Sequence, residues 1–80
     1  GNFYGSPRAP VEAAMLAGRE GEAFSAVVTD LGGSGARIQL CELPVVARGT
    51  AHGALPGTPL TVRLLSADPQ RRQLSFKRIS

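Results

Sequence analysis

Residues 23–40 read AFSAVVTDLGGSGARIQL, two alternating stretches around a glycine-rich centre. In the first stretch Phe24, Ala26 and Val28 share one side, and Ser25, Val27 and Thr29 share the other. In the second, Ala36, Ile38 and Leu40 alternate with Arg37, Gln39 and Cys41. A period of two is the spacing of a β-strand with one buried face. The centre, Gly32-Gly33-Ser34-Gly35, could in principle cradle a phosphate. That requires a following helix and a Lys-Ser/Thr pair, or a G-x-G-x-x-G spacing with a helix behind it. Here a strand follows, no Lys is near, and the spacing differs. The glycines are therefore expected to supply positive backbone angles and a sharp bend between two strands.

The same alternation continues along the chain. VVARGTA follows the break at Pro44. LTVRLLSA places Leu60, Val62 and Leu64 inward. RQLSFKRI places Leu74 and Phe76 inward after the turn signal DPQR. Five strands in about 60 residues, with turn signals every 8–12 residues, predict a small sandwich or barrel. Five strands make two poor sheets, and closure removes exposed edges, so an all-β closed barrel is expected. Upstream, GNFYGSPRA reads as a loop or linker. Pro10 can open a short helix whose Val11, Ala14 and Met15 share a face and which Gly18 stops. Such a helix is too short to stand alone and must pack on the barrel or on a preceding domain. Residues 1–20 are accordingly assigned to a linker and short helix, a remnant of a preceding domain, and 21–80 to the barrel. Phe3 and Tyr4 could stack as a pair, but contact with that preceding domain is the expectation. A start at Gly1 fits a piece of a longer chain.

Bulk properties bound the function. The chain has 80 residues, 42% of them hydrophobic and 19% charged, a globular composition for one small domain. No apolar run is long enough to span a bilayer as a helix, and no membrane partner is expected. The net charge of +3 permits an anionic partner, and the basic residues are Arg apart from Lys77. Arginine's planar fork suits phosphates and stacks on bases. Cys41 has no second cysteine to pair with, which points to a reducing, cytoplasmic compartment. It is read as a small buried hydrophobe. One Cys and one His exclude an ordinary zinc site, and no catalytic triad can be assembled.

GEAFSAVVTDLGGSGARIQL resembles the start of the S-one RNA-binding domain, the repeat of the largest small-subunit ribosomal protein. Gly21 takes the place of the Gly that opens the first strand, and Phe24, Val28 and Leu31 take its apolar positions. Gly49-Thr50-Ala51-His52 is a loose counterpart of a Gly-apolar-apolar-His segment. Gly57, Asp68, Arg72, Leu74 and Phe76 fall in the places of the closing strands. The resemblance spans residues 21–79 and implies a five-stranded OB-fold barrel, here with a short N-terminal helix. It also implies a binding face on the second and third barrel strands. LAGREGEAFSAVVTDLG and GARIQLCEL further resemble the carboxy-terminal domain of the ribonuclease II and ribonuclease R exoribonucleases, where a helix leads from the catalytic domain into the barrel.

The implied function is a single-stranded RNA-binding module of a 3′-to-5′ exoribonuclease, with that parent's catalytic domain as a partner and Mg²⁺ as the parent's cofactor. The acidic cluster that would hold Mg²⁺ is absent here, so this chain should hold no cofactor and cut no RNA itself. The family patch holds two aromatics, a His, an Asp and an Arg. His52, Asp68 and Arg72 match it, whereas Ser34 and Arg37 stand where aromatics are usual. Stacking is worth ~1–3 kcal/mol per base, so binding should be weakened, with Arg37 recovering part by stacking or by phosphate contact. Arg71 and Lys77 belong to the basic cluster at the last strand, and Arg48 could extend it. The expected RNA contacts are thus Ser34, Arg37, Arg48, His52, Asp68, Arg71, Arg72 and Lys77. A salt bridge from Asp68 to Arg72 is a second expected role. The alternative is a structural or protein-interaction OB module that has lost RNA binding with its aromatics.

Overall fold

The computed structural model describes residues 2–5, 10–32, 35–50 and 55–80. In chain order these form β1 (Asn2–Gly5), α1 (Pro10–Leu16), β2 (Ala23–Gly32), β3 (Gly35–Leu40), β4 (Val46–Gly49), β5 (Pro59–Asp68) and β6 (Gln73–Arg78). The strands close into a barrel in the order β1-β4-β3-β2-β5-β6, with antiparallel pairing throughout. The all-β barrel with a short N-terminal helix is thus the architecture.

The barrel has six strands where five were expected. The additional one is β1, from residues read in sequence as loop or linker. It lies between β4 and β6, with Phe3 opposite Gly49 on one side and Phe76 on the other. Four residues bounded by turn formers carry too little alternation to announce a strand, and its partners lie more than 40 residues away. Two glycines admit it. A Cβ on Gly49 would collide with the Asn2 carbonyl oxygen, and one on Gly5 would come within 2.6 Å of Leu74 Cβ. Phe3 is 0% exposed, so its ring fills this barrel's own core rather than meeting a preceding domain.

The inward rows follow the period of two: Phe24, Ala26 and Val28; Ala36, Ile38 and Leu40; Val45 and Ala47; Leu60, Val62 and Leu64; Leu74 and Phe76. Helix α1 packs on β5 and β6. It buries Ala13 and Leu16, whereas Ala14 and Met15, on the face expected inward, are exposed. The helix meets the barrel with roughly the opposite face, half a turn away, which a seven-residue pattern cannot specify. Gly18, with φ of 86°, ends the helix. Arg19 then lies 4.9 Å from the centre of the Phe24 ring and bonds Glu22 at 3.0 Å. The hydrogen bond from Arg19 holds the Glu22 carboxyl below its ordinary range.

One further expectation changes. Cys41 is exposed rather than buried. The alternation that buries Leu40 turns the next residue outward, where the Cys41 amide donates to the Ser25 carbonyl at 2.9 Å. The chain does reverse between β2 and β3, with Gly32 and Gly35 paired across the strands and neither at positive φ. The two residues between them, on which the expected positive angles also fall, lie outside the described residues. Within β2 the register shifts at a bulge between Val28 and Asp30. Strand alternation alone would bury Asp30 with Phe24, Ala26 and Val28. The extra residue, Thr29, turns Asp30 outward opposite Arg37.

Candidate nucleic-acid interface

Register places one row of outward side chains across four strands. Asp30 on β2 faces Arg37 on β3, Arg37 faces Arg48 on β4, and Arg48 faces Tyr4 on β1. Tyr4 in turn faces Ser75 on β6. A cleft of about 330 Å³ opens over the first part of this row, and its walls include Asp30, Arg37, Arg48, Gly49 and Thr50. Arg37 is half-buried and Arg48 exposed. Among the described residues neither guanidinium has a carboxylate within salt-bridge distance. Two like charges directly opposite across antiparallel strands repel. The cleft thus holds two cations against the single carboxylate of Asp30, and an anion between the arginines would offset their repulsion.

Arg37 and Arg48 are the expected contacts that the fold brings together. Lys77 shares the outer surface but lies one row away, opposite Asn2 on β1 and Arg63 on β5. Asp68, Arg71 and Arg72 sit at the β5–β6 turn. Arg72 precedes Ser75 by three residues, roughly 10 Å along a strand from the row through Tyr4. Ser34 and His52 lie outside the described residues.

The turn itself is built by Asp68, whose Oδ1 accepts from the Gln70 amide at 3.0 Å and the Arg71 amide at 3.2 Å. The Asp68 ion pair expected with Arg72 is made with Arg71 instead, at 3.7 Å between exposed groups. Arg72 has φ of 56°, a left-handed backbone that carries the chain into β6 and leaves Arg71 beside the carboxylate.

Asp30 escaped sequence reasoning. Tyr4 enters it only with Phe3, as a stacking pair or a contact with a preceding domain, without a place on the barrel. Asp30 depends on a bulge with no local signal, except that the inward parity would have buried an unpaired carboxylate. Tyr4 depends on β1. All four aromatic residues of the chain are described, and Tyr4 is 57% exposed while Phe3, Phe24 and Phe76 are buried.

The closed barrel with a cationic cleft on its outer side defines an OB-like binding barrel. Counted from β2, the second and third strands of such a barrel are β3 and β4, which carry Arg37 and Arg48. Residues 22–79 match the RNase II-type exonuclease C-terminal S1 domain, and the chain belongs to that family. Membership supports an RNA-binding module. Comparison with curated proteins and with solved structures returned no match.

Proposed function

We propose that this barrel binds single-stranded RNA along the outer face of β3 and β4, and that it grips substrate for the catalytic part of an RNase II-like 3′-to-5′ exoribonuclease. The observation that carries this reading is the Arg37–Arg48 pair, set face to face in a cleft with no carboxylate in ion-pair reach among the described residues. A phosphate between the two guanidinia would accept from both and remove their repulsion. Lys77, and Arg71 and Arg72 at the far turn, extend the contact along the strand of RNA. The Mg²⁺ chemistry is assigned, as part of the same reading, to the parent's catalytic region. A reducing, cytoplasmic setting belongs to the same proposal.

The test is fluorescence anisotropy of a labelled single-stranded RNA 12-mer with the full chain across a salt series. Each phosphate contact should contribute about −0.7 to the slope of log K against log salt, so three or four contacts give roughly −2 to −3. Arg37→Ala and Arg48→Ala should each make the slope shallower by about 0.7. Absence of binding at low salt would overturn the proposal and leave the protein-interaction module as the reading. Unchanged binding in both variants would move the interface elsewhere on the barrel.

A further inference from the structure

The aromatic positions of the family patch are occupied here by Ser34 and Arg37, yet the outer face is not without an aromatic. Tyr4 stands on β1, directly opposite Arg48 on one side and Ser75 on the other. Its neighbours along the strand, Phe3 and Gly5, are tied into the barrel by the Phe3–Phe76 pairing and by the close approach of Gly5 to Leu74. The ring is therefore carried on a fixed backbone rather than on a loose terminus. It is 57% exposed, and among the described residues the one cation lying over a ring is Arg19 on Phe24, so no cation covers the Tyr4 ring. Cations flank it: Arg48 across one strand boundary, and Lys77 two residues beyond Ser75 on the same side of β6. An exposed ring between basic side chains is the arrangement on which a base stacks while its phosphates are held.

We infer that Tyr4 is a base-stacking platform, through which β1 restores to the RNA-binding face the stacking lost at residues 34 and 37. The inference rests on the RNA-binding reading above and adds to it a residue from outside the matched segment, residues 22–79. The ligand is an unpaired nucleobase whose flanking phosphates meet Arg48 and Lys77. The hydroxyl has no necessary part, since stacking uses the ring face.

Tyr4 is the chain's single tyrosine, and there is no tryptophan, so intrinsic emission reports this position without a label. Titrating the full chain with oligouridylate, with correction for nucleotide absorbance, should quench that emission. Inorganic polyphosphate, which has charge but no bases, should bind without comparable quenching. Tyr4→Ala should weaken binding of the labelled 12-mer by about 5- to 150-fold at an unchanged salt slope. Tyr4→Phe should recover most of the loss. Circular dichroism of both variants checks that β1 keeps its place.

The outcomes separate the two readings. RNA bound normally, with Tyr4 emission unmoved and Tyr4→Ala equal to the parent chain, would overturn the stacking role alone. A weakened Tyr4→Ala with a slope shallower by about 0.7 would trace the loss to displaced cations and overturn it too. RNA not bound at all would overturn the RNA-binding reading and this one with it.

Discussion

At Arg72 backbone and side chain have opposed interests. Its φ of 56° lies where an L-residue crowds its own carbonyl and where glycine is at ease. Holding an arginine there costs about 1–3 kcal/mol. Arg72→Gly should relieve that strain, less the entropy a glycine loses on folding, for a net gain of roughly 0.5–1 kcal/mol. The measurement is a shift of the urea midpoint at constant m-value. A midpoint that stays put or falls would mean that the side chain, not the backbone, secures the turn. Asp68 provides the contrast: its carboxylate accepts two amide hydrogen bonds and is replaceable only at their expense. Its ion pair with Arg71, at 3.7 Å between exposed groups, adds little.

Strand by strand, the sequence was legible wherever alternation ran for five residues or more. Phe24-Ala26-Val28, Ala36-Ile38-Leu40, Leu60-Val62-Leu64 and Leu74-Phe76 all lie inward. Arg37 could be placed on an outward face by the same rule, but not opposite Arg48, because register is fixed by partners and bulges that a single strand does not encode. The bulge at Thr29 also decided which way Asp30 points. β1 was hidden because its reason for existing is tertiary: a seam between β4 and β6, and glycines at 5 and 49 that admit a backbone there. Its weight in the fold can be read from two adjacent residues. Phe3→Ala empties a fully buried ring site and should cost ~3–5 kcal/mol. Against a total of roughly 4–12 kcal/mol for a domain of this length, that is enough to lower the melting temperature steeply. Gly49→Ala should act similarly by pushing the Asn2 carbonyl and the Phe3 backbone away from β4. If both variants melted like the parent chain, β1 would be dispensable to the barrel.

Over the whole molecule a formal charge of +3 is small, and what matters is where the charge is placed. The barrel sets Arg37 against Arg48 across adjacent strands, an arrangement that works against folding and in favour of an anionic ligand. Stability and binding should therefore respond in opposite directions to the same substitution. Arg48→Glu turns the repulsion into attraction and takes the formal charge from +3 to +1. The free protein should gain about 0.5 kcal/mol, in the range of exposed cross-strand pairs. That gain should shrink as salt is raised, because the pair sits near the surface and is screened within a Debye length. RNA affinity at low salt should fall by at least about tenfold, with a salt slope shallower by 0.7 or more. Urea denaturation at two salt concentrations reads the first effect, and anisotropy with the labelled 12-mer reads the second. A variant less stable than the parent at low salt would show that the two arginines do not repel in the free barrel. A more stable variant that binds RNA undiminished would leave the repulsion intact and remove the cleft from the interface.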